Sequence, residues 1–211
     1  MARRLGPTLE DHLRRSQYCA VPGNSIFDAV STVRDAIKYS ETSRTPLCVL
    51  TLGFESVFDG ISHRYMFDII GRYGISPLFI ERILTLYDGS YASVQITGIL
   101  TGHIPIQCLV RKGCPLRMVL DALRLHPLLC TLEIKLTGIH IRSTERSSPV
   151  VAYADDVTVL VTRPEDFDSI QQSVAHFKRA TGARLNKNRT LLRMGTGRHQ
   201  RRCSELTSRN R

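Results

Sequence analysis

No stretch of the sequence approaches the roughly 18 consecutive apolar residues that a membrane-spanning helix needs, so a membrane partner is not expected. The N-terminus, MARRLGPTLEDHLRR, lacks the apolar core of a secretory signal. Nothing directs export, and an intracellular chain is expected. The cysteines at Cys19, Cys48, Cys108, Cys114, Cys130 and Cys203 include no CxxC pair and no Cys/His cluster at zinc spacing. They read as reduced thiols, several of them core filler. Acidic residues are in short supply too: 19 Asp and Glu stand against 29 Lys and Arg, a net charge of +10.

What is present is enough for one sizeable core, or a core with a small lobe, since 42% of the 211 residues are hydrophobic and 23% charged. Wholesale disorder is thereby rejected. The positive balance points to polyanions, and first to nucleic acid, because each neutralised phosphate releases counterions. A basic surface kept for solubility is the competing explanation. Part of the excess sits in RHQRRCSELTSRNR, with five arginines against one glutamate, so residues 196–211 read as a basic, disordered tail.

Ile26, Phe27, Val30, Val33 and Ile37 recur at helical spacing, with Ser25 as cap and Asp28 completing a capping box. TPLCVLTLGF reads as a buried strand. Two helices follow, around SHRYMFDIIGRYG and SPLFIERILTLYDG, the first stopped at Gly74 and the second opened by Ser76-Pro77. YASVQITGILTGHIPIQ alternates about Thr97-Gly98 and reads as a strand pair. A helix from Pro115 to about Lys135 should kink or break at Pro127, and Asp121 on it should face solvent or a cleft. VVAYADDVTVLV reads as a hairpin turning at two aspartates. PEDFDSIQQSVAHFKRATG has acids in its first turn, Lys178 and Arg179 in its last, and Gly182 as stop, so it predicts an amphipathic helix. ARLNKNRTLLRM resembles a last strand. Interleaved helices with plentiful hairpins predict an α+β fold with a mostly antiparallel sheet.

Asp155 and Asp156, set between apolar strands, form a pair of hard oxygen donors suited to magnesium, although Asp also simply makes turns. The context decides between these. YADD between β-branched runs is similar to the active-site hairpin of reverse transcriptases. Four further segments, in order, resemble those of non-LTR (LINE-type) retrotransposons: SQYCAVPGNSIFDAV in the fingers, LTLGFESVFDGISHRYM as the first palm motif, SVQITGILTGHIPIQCLVRKGCPL leading into the second, and TGARLNKNRT after the hairpin. The resemblance covers about residues 3–195.

The resemblance implies a right-hand polymerase palm, its antiparallel sheet backed by helices, with part of the fingers and no thumb. Residues 1–45 would be a partial fingers region and 46–195 the palm. It implies an RNA-directed DNA polymerase using an RNA template, a primer DNA or RNA–DNA hybrid, and dNTP, and two Mg²⁺ ions (Mn²⁺ as substitute) that clamp the primer 3′-hydroxyl and the triphosphate. Asp155 matches the indispensable metal ligand and Asp156 the weaker one. Phe58 matches a gate against a ribose 2′-hydroxyl, with core packing as its alternative. Arg111 and Gly113 match the second motif; with Phe58, Lys112 and Arg189 they are expected at the nucleotide, Arg111 as a phosphate or nucleotide contact rather than an ordinary surface charge. Nuclear residence is implied as well. Nothing in the sequence sets an oligomeric state.

Several positions depart from the family. Its first motif reads Leu-Asp-Phe; here it reads Leu52-Gly53-Phe54, and glycine has no side chain to ligate metal. Glu55 would face the same side of the strand, but about 6.6 Å further along. A metal–oxygen distance of about 2.1 Å does not tolerate that offset. Lys112 replaces a glutamine, Arg117-Met118 replaces Ser-Pro, Asn24 stands where arginine is frequent, and Arg189 replaces a lysine that could protonate pyrophosphate, which arginine almost never does. Catalysis is therefore expected to be lost or cut by several orders of magnitude. Two other readings stay open: a non-catalytic nucleic-acid-binding module, and a decayed element remnant.

Overall fold

The computed structural model describes residues 13, 16–19, 21, 23–55, 63–106, 114, 116–140, 149–186, 190–194 and 200–202. Helix α1 (Ile26–Ser43) opens with the expected capping box, Ser25 and Asp28 satisfying each other's backbone N–H. Strand β1 (Cys48–Glu55) follows, then α2 (His63–Arg72) and α3 (Pro77–Tyr87). The expected strand pair is two short ladders in tandem. An outer one joins β2 (Tyr91–Ala92) to β5 (Ile104–Pro105), and an inner one joins β3 (Gln95–Ile96) to β4 (Ile99–Leu100). The inner turn has positive φ at both Thr97 (48°) and Gly98 (88°), as tight hairpins require.

Helix α4 (Arg117–Lys135) runs through Pro127 as one helix, so of the two expected outcomes the break does not occur. A proline removes one helical hydrogen bond and crowds the carbonyl four residues back, whereas Leu123, Leu125, Leu128, Leu129 and Leu132 are all buried around it. Packing wins. Strands β6 (Val150–Tyr153) and β7 (Asp156–Val161) form the central hairpin, followed by α5 (Asp166–Thr181), which ends on Gly182 at φ 77°. The last apolar stretch is two strands, β8 (Arg184–Leu185) and β9 (Leu191–Met194), both pairing with β1. β10 (Gln200–Arg202), inside the stretch expected as a basic tail, pairs with β9.

Among the described residues one antiparallel sheet has the order β10-β9-β1-β7-β6, with β8 beside the end of β1. Residues 16–19 extend it through a parallel bridge from Gln17 to Ala152. Alternation sends Leu50, Leu52, Phe54, Val157 and Val159 toward α4 and α5, where they form the main core with Ile170, Val174 and Phe177. The opposite face carries Val49, Thr51, Gly53, Val151, Tyr153, Asp156 and Thr158. Helix α1 covers only part of it, through Ala36 with Val33 and Ile37. A cavity of about 580 Å³ remains between α1 and that face, with Ile26, Val30, Tyr153 and Asp156 on its walls. A second core joins α2, α3 and the first half of α4. The described residues include no helix long and apolar enough to cross a membrane.

Candidate active site

The hairpin turns one residue earlier than expected. Ala154 and Asp155 are the two turn residues, and Asp156 already belongs to β7, paired with Tyr153. Asp155 is half-buried at the tip and Asp156 is exposed on the open face of the sheet. Gly53, buried in β1, lies directly across from Asp156.

The hydrogen-bond pattern fixes how close that pair is. Leu160 donates its N–H to the Pro149 carbonyl, so alternate residues of β7, Asp156 among them, turn their backbone groups toward β6. The Gly53 carbonyl accepts from Asn186 N–H at 2.8 Å, on the side away from β7. Gly53 and Asp156 are therefore a non-hydrogen-bonded pair, with Cα atoms about 4.5 Å apart and side chains on one face. A carboxylate at position 53 would stand beside those of the hairpin. Glycine leaves that place without a side-chain oxygen.

A charged cluster lies behind the tip. Asp121 and Arg124 on α4 are 2% and 1% exposed, and Arg124 Nη2 donates to Asp121 Oδ1. Arg117 Nε stands 3.6 Å from Asp121 Oδ2. So Arg117, where the family has a small serine, joins this cluster, while Met118 is exposed. Burial pushes the Asp121 carboxyl up to about 6; Arg124 and Arg117 oppose the rise and the charge of Asp155 adds to it. Asp121 faces neither solvent nor an open cleft, which corrects the sequence reading.

Gln17 was not among the expected site residues. Its carboxamide meets Ala154 on both sides: Oε1 accepts from Ala154 N–H at 3.1 Å and Nε2 donates to the Ala154 carbonyl at 3.3 Å. The contact spans 137 residues of sequence, so no local pattern could disclose it. Asn24 donates to the Gln17 carbonyl at 3.5 Å. Phe58, Arg111, Lys112, Gly113 and Arg189 lie outside the described residues. Among the described residues, Cys19, Cys48, Cys114 and Cys130 form no disulfide.

The described residues do not fit a pair of bridged divalent ions. Two adjacent carboxylates face a glycine, and no three of His, Cys, Asp and Glu converge among them.

The family model for reverse transcriptase (RNA-dependent DNA polymerase) matches residues 1–204. The chain is 31% identical over 183 residues to the transposon TX1 uncharacterized 149 kDa protein of Xenopus laevis, covering 87% of this chain and 14% of that protein. It is 27% identical over 192 residues to the retrovirus-related Pol polyprotein from type-1 retrotransposable element R2 of Popillia japonica, covering 90% and 27%. The chain thus spans less than a third of the length of either relative. In structure it is similar to telomerase from Candida tropicalis, with TM-score 0.67 at 12% identity, covering 93% of this chain and 33% of that one. Telomerase from Candida albicans gives 0.61 at 11% identity, covering 94% and 34%. These likenesses bear out the α+β palm-and-fingers fold, and the sequence relatives bear out the retrotransposon resemblance. Matched along nearly its whole length, the chain belongs to the reverse transcriptase (RNA-dependent DNA polymerase) family.

Proposed function

We propose that this chain is a retrotransposon-derived reverse transcriptase domain whose own catalysis is lost or reduced by several orders of magnitude. The ancestral reaction is template-directed transfer of a deoxynucleotidyl unit from dNTP to a primer 3′-hydroxyl on an RNA template, in the nucleus. The observation that carries the reading is the register of Gly53 against Asp156. In the family two Mg²⁺ or Mn²⁺ ions supply the charge that this transfer needs. Here Asp155 and Asp156 can attract a cation, but no carboxylate on β1 at position 53 completes the set.

Primer extension on an RNA template, with Mg²⁺ and then Mn²⁺, tests this in the unaltered chain, in Gly53→Asp and in Gly53→Asp with Asp155→Ala. Circular dichroism first establishes that each is folded. Extension by Gly53→Asp alone is the expected result. Extension by the unaltered chain at rates typical of active polymerases would sink the proposal.

The net charge of +10, beside a site short of a metal ligand, favours a second reading in which the chain binds nucleic acid without chemistry. Folded protein that never extends primer, even as Gly53→Asp, yet holds RNA–DNA hybrid would favour it.

A further inference from the structure

We propose that Gln17 is a positioning residue for Asp155, acting through the peptide at Ala154. The inference rests on reading Asp155 as the surviving catalytic carboxylate.

Ala154 has φ 54°, in the left-handed region that a Cβ disfavours. Tight turns usually put Gly, Asn or Asp there, because glycine has no Cβ and the others bond locally. Alanine has neither device, so something outside the hairpin must hold the conformation. Gln17, 0% exposed, is that hold. Its Oε1 accepts two N–H groups, from Ala154 and from Cys19, each at 3.1 Å, and its Nε2 faces the Ala154 carbonyl. Two donors at one end and an acceptor at the other leave the carboxamide a single orientation. The Ala154 carbonyl shares a planar peptide with the N–H of Asp155. Fixing that plane fixes the direction in which Asp155 leaves the turn.

The support of Gln17 is itself tied to the sheet. Tyr18 N–H donates to the Ala152 carbonyl at 2.8 Å, and Ala152 N–H donates to the Ser16 carbonyl at 2.7 Å. Glutamate at 17 would keep the acceptor, lose the donor, and set a buried charge against a carbonyl next to two aspartates. Methionine would fill the space and make no hydrogen bond.

The test compares the unaltered chain, Gln17→Met, Gln17→Glu and Gln17→Met with Ala154→Gly, each with and without Gly53→Asp. NMR reads the backbone coupling that reports φ at residue 154, and amide exchange at Asp156 and at Leu50 and Val159. Gln17→Met is expected to speed Asp156 exchange about tenfold or more, leaving Leu50 and Val159 unmoved. Ala154→Gly should restore protection at Asp156, since glycine takes this φ without penalty. In the Gly53→Asp background, kcat should fall with Gln17→Met, KM for dNTP should hold, and glycine at 154 should recover the loss. Unchanged Asp156 exchange in Gln17→Met, or a loss that glycine does not recover, would mean that Gln17 only fills space. Should Gln17→Met not fold, the double variant is expected to fold, and its failure overturns the proposal equally. Gly53→Asp that never extends primer with Gln17 intact counts against the proposed function instead; the exchange comparison still decides the role of Gln17.

Discussion

At the scale of single residues, Asp121 shows what a buried carboxyl beside the Ala154-Asp155 turn costs. Its pKa is lifted from the ordinary 3.8 to about 6, mainly by burial. A carboxyl raised on folding contributes its stability in full below about pH 4, and that contribution is lost as the pH climbs through about 6. The unaltered chain should therefore lose thermal stability relative to Asp121→Asn between about pH 4 and 7, followed as paired melting midpoints. The opposite trend would mean that Arg124 and Arg117 outweigh burial and hold Asp121 ionised. Of the residues around the tip, Asp155, Asp156 and Gly53 were legible beforehand, because a motif places them by resemblance. Asp121 was visible only as a charge on a helix, since periodicity names a face and not the arginine it meets. Gln17 was invisible, because its partner is set by the sheet and not by its neighbours in sequence.

At the scale of elements, the sequence disclosed most starts and stops, because caps and turns are local chemistry. Ser25 with Asp28, Gly182 after α5, and Thr97-Gly98 in the inner hairpin stand where their side chains or φ values demand. Tertiary structure altered two readings. The central hairpin turns at Ala154-Asp155, one residue before the two aspartates, since a clamp from Gln17 holds an alanine in a conformation that propensity disfavours. α4 continues through Pro127 because its leucines are buried on both sides of it. Pro127→Ala should return one helical hydrogen bond and raise stability by about 1–3 kcal/mol in urea unfolding. A loss instead would show that the core around Leu123 and Leu128 is shaped to the proline. The apolar stripe of α1 was read correctly as helical, and part of it is left exposed. Phe27 and Val30 are 79% and 61% exposed, while the small Ala29 and Ala36 are buried, Ala36 against the sheet side.

At the scale of the whole molecule, the charge balance and the palm can be separated by experiment. If nucleic-acid binding survives without chemistry, affinity for an RNA–DNA hybrid should fall steeply and linearly with salt on logarithmic axes. Asp155→Ala should leave that affinity unchanged or slightly tighter, read by fluorescence anisotropy at several salt concentrations. Salt-insensitive binding would remove the polyanion argument that +10 suggests. The strand order carries a different consequence. β1 is the central strand of the sheet, yet its partners β7, β8 and β9 all lie more than a hundred residues further along the chain. Such non-local pairing makes for high contact order and slow folding. During synthesis at about 5–20 residues per second, the apolar Cys48–Glu55 segment would wait some 5–20 seconds before β7 emerges to pair with it. Until then it is an open sticky edge, and the yield of folded protein depends on what shields it on the ribosome.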